Sequence, residues 1–261
     1  MLTIVPIPAF TDNYLWVIHD DANAIAIDPG DALPVIDYLA AHDLALSAIL
    51  ITHHHYDHVG GIGALKQWCG ENIPVYAPET SNIKGRTHTA DPTKMVSIAA
   101  LGLDFKVLSL PGHTLDHIAF YSATHGLCFC GDVLFAGGCG RLREGTSSQA
   151  QHSLAQLRAL PIETQIFCAH EYTLANLRFA LIVEPNNAAL KARIAVETQK
   201  RAENKPTLPT TIGLEIATNP FLRWDASEVK LAAERASSGT IDRNASPDEI
   251  FGAIRAWKDR L

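Results

Sequence analysis

What this 261-residue sequence has little of narrows its class before any motif is read. It has only five cysteines, an odd number with no disulfide-type framework (Cys69, Cys128, Cys130, Cys139 and Cys168). That excludes a small stapled secreted scaffold and leads us to expect a reducing compartment, with all five as buried thiols. Basic residues are not in excess: 21 Lys and Arg stand against 28 Asp and Glu, and the net charge of -7 argues against a phosphate backbone as partner. No apolar run approaches a membrane span, and the start MLTIVPIPAF lacks the basic residues and long apolar stretch of a secretion signal. A cytoplasmic protein without nucleic-acid or membrane partners is therefore expected. Repeats and low-complexity tracts are missing too. What remains is ordinary globular composition, 47% hydrophobic and 19% charged, in a chain long enough for one large or two modest domains.

Short β-branched runs at 14 to 20, 23 to 28 and 46 to 52, with a helically spaced segment at 33 to 42, predict a layered α/β arrangement. Further strands are expected at 73 to 78, 104 to 110, 117 to 122, 126 to 132 and 164 to 170, with a helix at about 148 to 159. After His170 the texture turns helical. Leu174, Leu177, Leu181 and Ile182 fall on one face of a segment that halts before Pro185, and helical periodicity resumes from Asn186. In the tail SPDEIFGAIRAWKDRL, Ser246 is the expected N-cap, Pro247 the first helical residue and Glu249 the partner in a capping box. Ile250, Ile254, Trp257 and Leu261 form its expected buried stripe.

The chemistry concentrates in ITHHHYDHVGG, Ile51 to Gly61. With the chain still extended beyond its apolar strand, His53, His55 and Asp57 point to one side and His54 and Tyr56 to the other. His58 joins the first group as the chain turns towards a helix after Gly60 and Gly61. This spacing gathers four ligand-type groups at the carboxyl end of a buried strand, where open α/β sheets place their chemistry. A solvated polar loop is the alternative, disfavoured by the apolar strand before and the glycines after. Three later turns each end a strand with a ligand-type residue: LPGHT with His113, CGDVLF with Asp132 and CAHEY with His170. Seven donors exceed the needs of a single ion that keeps an open position, and suit two ions.

Taken together, THHHYDH, PGHT, GDVLFAGGCGR and AHEYT resemble the metallo-β-lactamase superfamily, and within it the glyoxalase II (hydroxyacylglutathione hydrolase) family, nearly end to end. The resemblance implies an α/β (α+β) fold, an αββα sandwich over 1-172 with a helical substrate-binding domain over 173-261. It implies one metal held by His53, His55 and His113, a second held by Asp57, His58 and His170, and Asp132 bridging them, with Asp57 and Asp132 as the catalytic carboxylates. Zinc is expected first, with iron or manganese as alternatives that imidazole and carboxylate donors alone do not separate. Asp28 in AIDPGDA reads as a carboxylate supporting the histidine loop or, equally, as a turn residue. His117 either supports the site or is simply packed. His54, Tyr56, His19, His42, His88, His125 and His152 read as structural, and Cys139 as a buried thiol.

The activity implied is hydrolysis of S-(2-hydroxyacyl)glutathione thioesters, S-lactoylglutathione to D-lactate and glutathione, by a metal-bridged hydroxide, the second step of methylglyoxal detoxification. A thiol of pKa about 8.5 leaves readily as thiolate, so no dedicated general acid is demanded. Glutathione carries two carboxylates, which call for cations in an otherwise acidic protein. Arg255 and Lys258 are three residues apart, share a helical face and lie off the apolar stripe. The resemblance assigns them to glutathione together with Arg141 and Tyr172. Arg143 stands where the family commonly has an aromatic residue and Asp116 where it commonly has glycine; both bear on affinity and acyl preference. A monomer acting on a small molecule is expected. The nearest rival is a mononuclear iron persulfide dioxygenase acting on glutathione persulfide. A β-lactamase or lactonase leaves Arg255 and Lys258 without a role, a nuclease conflicts with the charge of -7, and a merely metal-braced binding protein conflicts with an open two-ion cluster.

Overall fold

The apolar strands at the start of the chain form a six-stranded mixed sheet in the computed structural model, which describes residues 1–261. Its order is β1 (Thr3–Ala9), β2 (Asn13–His19), β3 (Asn23–Ile27), β4 (Ala45–Leu50), β5 (Val75–Ala77) and β6 (His88–Thr89). The first three strands are antiparallel, with Val17 of β2 opposite Val5 and Ala26. From β3 to β5 the pairing is parallel, because α1 (Leu33–Ala41), the single turn α2 (Tyr56–Val59) and α3 (Ile62–Cys69) supply the crossovers. β1 has a weak strand signature because of Pro6 and Pro8; it lies at the sheet edge, where residues without an N–H are tolerated.

Alternation along β2 buries both faces of this sheet. Val17 joins Val35, Leu39, Ile49, Ile62, Leu65 and Val75 in one apolar cluster with the helices. On the other face Trp16 meets Phe129 edge-on at 6.5 Å between ring centroids. Phe129 belongs to a second, antiparallel array of β7 (Met95–Ile98), β8 (Leu103–Ser109), β9 (Ile118–Ser122) and β10 (Leu127–Gly131). Phe105, Phe120 and Phe129 fill its core side in edge-to-face contact. These elements make one compact unit, Met1–Ser109 with Asp116–Gly131.

A second compact unit comprises Leu110–Leu115 and Asp132–Leu261. It contains the short hairpin β11 (Leu134–Phe135) and β12 (Gly138–Cys139), then α4 (Ser147–Arg158), β13 (Gln165–Cys168), α5 (Thr173–Val183) and α6 (Ala188–Ala202). It continues through β14 (Thr210–Thr211), which pairs with β13, to α7 (Ile212–Thr218), α8 (Ser227–Ala236) and α9 (Pro247–Asp259). Residues 173–261 lie wholly inside this unit. No helix of the chain is long and apolar enough to cross a membrane.

Two expected helix faces are displaced. The α9 capping box of Ser246 and Glu249 is present, but the helix ends at Asp259 and leaves Leu261 77% exposed. Its buried residues are Ile250, Phe251, Ile254 and Arg255, with Trp257 only half-buried, because α9 packs against both α4 and α8 and so buries a broader face than one stripe. Arg255 therefore lies within the buried face, not beside it. On α5 the buried face runs through Thr173, Asn176, Leu177, Ala180 and Val183, while Ile182 is 51% exposed. Cys69 is half-buried, unlike the other four cysteines. Truncating Phe251 to Ala is expected to cost about 3–5 kcal/mol in urea unfolding, against less than about 0.5 kcal/mol for Leu261→Ala. Equal costs would contradict this placement of the α9 core.

Candidate metal centre

The chain is no longer a strand where the histidine run begins. β4 stops at Leu50, and the backbone turns into α2 with His55 as its N-terminal flanking residue, so Asp57 and His58 project from a helical turn instead of alternating along a strand. Asp28, just past β3, organises this loop. Its Oδ1 accepts from the Thr52 amide at 2.7 Å and its Oδ2 from Thr52 Oγ1 at 2.7 Å. His58 Nδ1 lies 3.0 Å from the same Oδ2. Asp28 has a left-handed backbone, φ 51°, a strained state for a non-glycine residue that these bonds hold in place. The turn it begins packs so closely on the loop that a β-carbon at Gly30 would come within 1.9 Å of the Asp57 carbonyl oxygen.

These acceptors orient the imidazoles. His58 faces the Asp28 carboxylate through Nδ1 at 3.0 Å and directs Nε2 to within 3.6 Å of Asp57 Oδ2. Thr52 spends its hydroxyl proton on Asp28, so it accepts from His53 Nδ1 at 3.1 Å and leaves the His53 lone pair on Nε2. That nitrogen lies 3.0 Å from His55 Nδ1. Buried His117 stacks on His53 at 4.4 Å and is held by the Ile118 carbonyl. Asn13, which local sequence did not single out, donates to Asp57 Oδ2 at 3.0 Å. His54 turns away to Asp116 Oδ1 at 3.0 Å, and Tyr56 is exposed.

The second unit brings His113, Asp132 and His170 together independently. His113 donates Nδ1–H to the Arg141 carbonyl at 2.8 Å and points Nε2 to within 3.5 Å of Asp132 Oδ2. His170 Nε2 reaches the same oxygen at 3.4 Å, and its ring stacks on Tyr172 at 4.7 Å between nearly parallel planes. All three residues are buried. Buried imidazoles with one nitrogen anchored on an oxygen acceptor, clustered with carboxylates, are a donor set that fits divalent ions.

The expected substrate residues of the second unit differ in environment. Arg141 and Arg143 are exposed, and Tyr172 is partly so. Arg255 donates to the Cys139 carbonyl at 3.2 Å and to Asp259 Oδ1 at 2.8 Å. Lys258 donates to Asn176 Oδ1 and lies over the rings of Phe179 and Phe221 at 5.8 and 5.7 Å. Burial pushes the Cys139 thiol up, away from reactivity.

Residues 171–261 match the family described as hydroxyacylglutathione hydrolase C-terminus, and residues 10–170 match the metallo-beta-lactamase superfamily. A hydroxyacylglutathione hydrolase of Pseudomonas aeruginosa is 50% identical over 265 residues, covering 100% of both chains. Among solved structures, ETHE1 from Myxococcus xanthus matches with a TM-score of 0.64 and 23% identity over 99% of this chain and 98% of its own. TTHA1623, solved in a di-iron-bound form, matches with a TM-score of 0.60 and 25% identity over 84% of this chain and 100% of its own. At 23% identity the likeness to ETHE1 speaks for the fold alone.

Burial, partly opposed by Cys139, lowers the Lys258 ammonium from 10.5 to about 8. Lys258 is therefore charged below about pH 8 and neutral above it, and NMR titration of its ε-carbon is expected to show a midpoint there. The buried cation weighs on the folded state at low pH, so this group's contribution to stability rises as the pH passes from 8 to 10.5. A midpoint near 10.5 would refute the desolvated setting.

Proposed function

The chain belongs to the hydroxyacylglutathione hydrolase family of the metallo-β-lactamase superfamily and hydrolyses hydroxyacylglutathione thioesters, and we propose that it does so with seven side chains holding two divalent ions. His53, His55 and His113 would hold one ion and Asp57, His58 and His170 the other, with Asp132 shared between them. The observation that carries this reading is Asp132 Oδ2, one anionic oxygen 3.5 Å from His113 Nε2 and 3.4 Å from His170 Nε2. The first unit gathers its donors tightly. The donor atoms of His53 lie within 4.8 Å of those of both His55 and His58, and those of Asp57 and His58 lie within 4.8 Å of each other.

When bound, two divalent ions supply the Lewis acidity that brings the pKa of water to about 7 and polarises a thioester carbonyl. The residues do the rest. Asp28, Thr52 and the Arg141 carbonyl each face one nitrogen of an imidazole and so aim three rings. Asp57 and Asp132 offset only half the charge of two divalent ions, so the site stays cationic towards a developing oxyanion. The thiolate leaves without a proton donor. Lys258, whose hydrogen-bond partner is a neutral amide, offers its charge to a glutathione carboxylate, and Arg255 braces the hairpin at the Cys139 carbonyl. Arg141, Arg143 and Tyr172 complete the proposed contacts. We assign zinc as the first choice of metal. All seven donors come from one chain, which suits a monomer, and five unbridged thiols suit the cytoplasm. A one-iron dioxygenase would leave the second set, Asp57, His58 and His170, without a role.

Chelation is expected to abolish S-lactoylglutathione hydrolysis, and added zinc to restore it. Asp132→Ala in folded protein is expected to lose more than about 100-fold in kcat and to bind fewer than two ions. Retained activity with this variant overturns the donor assignment. Lys258→Ala is expected to raise KM about tenfold with kcat nearly unchanged, the loss of one charged hydrogen bond.

A further inference from the structure

In the second unit, Arg193 and Glu215 form an ion pair at 2.6 Å with side chains only 2% and 0% exposed. Such a pair is a weak stabiliser on its own account, because desolvation offsets the attraction. Its hydrogen bonds show another use. Glu215 Oε1 accepts from Arg193 at 2.6 Å and from Thr210 Oγ1 at 2.7 Å, both within the helical region. Oε2 instead accepts from the Gly137 amide, 78 residues away, at 2.9 Å, and from Asn219 Nδ2 at 2.9 Å. Asn219 Nδ2 also reaches the carbonyls of Phe135 at 3.3 Å and Gly138 at 2.9 Å, and Asn176 Nδ2 reaches that of Ala136 at 3.1 Å. Each residue from 135 to 138 thus has a backbone group gripped by a side chain of the 173–261 region.

The hairpin needs that grip. Two residues per strand do not hold themselves together. The clamp also explains the glycine pair: a β-carbon on Gly138 would lie 2.5 Å from Asn176 Cγ. Both ends of the hairpin bear on the proposed metal donors. Asp132 immediately precedes Val133, whose carbonyl accepts the Gly140 amide at 3.2 Å, and the next carbonyl, that of Arg141, fixes the His113 ring. Displacing the turn displaces Asp132 and the His113 support together.

We propose that Glu215 is a positioning residue, which sets Asp132 and His113 for the metal ions by clamping the 134–139 hairpin through the Gly137 amide. This rests on the reading of Asp132 and His113 as donors. Arg193→Gln/Glu215→Gln removes both charges together, so neither is left buried alone. Zinc affinity, measured on the full chain by competition with a chromophoric chelator, is expected to fall about tenfold or more, with a loss in kcat. Thr210→Val removes a bond only on the Oε1 side; it is expected to lower Tm yet hold zinc affinity within about twofold. Should the double variant not fold, Asn219→Ser leaves the ion pair intact and can still cap the Phe221 amide, but loses the hairpin carbonyls, and is expected to weaken zinc in the same direction. Unchanged zinc affinity in both hairpin variants, or an equal loss in Thr210→Val, overturns the clamp. Asp132→Ala with two ions still bound would instead sink the donor reading itself.

Discussion

A histidine serves as a metal ligand only while one ring nitrogen keeps its proton on an acceptor and the other keeps its lone pair. In this chain oxygen atoms fixed in advance face one nitrogen of three rings: Asp28 that of His58, Thr52 that of His53 and the Arg141 carbonyl that of His113. Asp28 is the most demanding of them. Its carboxylate is buried and its backbone left-handed, a state held by the Thr52 amide, the Thr52 hydroxyl and His58. The order of dependence runs outward from there: Asp28 orients Thr52, Thr52 orients His53, and Asp28 itself faces the His58 ring. Removing the carboxylate would disturb two imidazoles at once, one directly and one through a hydroxyl.

The strand ends were legible in the sequence because each carries its own local signature. An apolar run followed by His53 to His58, or by a tight turn with His113, Asp132 or His170, states strand, stop and ligand-type residue within about a dozen positions. The α9 cap was legible for the same reason, since Ser246, Pro247 and Glu249 are neighbours. The polar residues that steady the site were not. Asn13, Asn176, Glu215 and Asn219 act on groups 44, 40, 78 and 84 residues away, and a lone amide or carboxylate gives no hint of such a partner. The helix faces drifted because periodicity assumes one neighbour. α9 has two, so Arg255 is enclosed while Leu261, beyond the last turn, is exposed.

The same turn that precedes the Arg141 carbonyl also reaches the proposed substrate cations. Asn176 donates to the Ala136 carbonyl with one end of its amide and accepts from Lys258 with the other. Arg255 donates to the carbonyl of Cys139, the last residue of β12. A carboxylate in place of the Asn176 amide would orient Lys258 equally well but would neutralise it and compete with any anionic ligand. A neutral amide fixes the ammonium and leaves its charge to be used. The proposed metal donors and the proposed carboxylate-binding cations of the second unit are therefore referred to one short hairpin. Loosening that hairpin acts on ion affinity and substrate affinity together, whereas replacing Lys258 touches only the second.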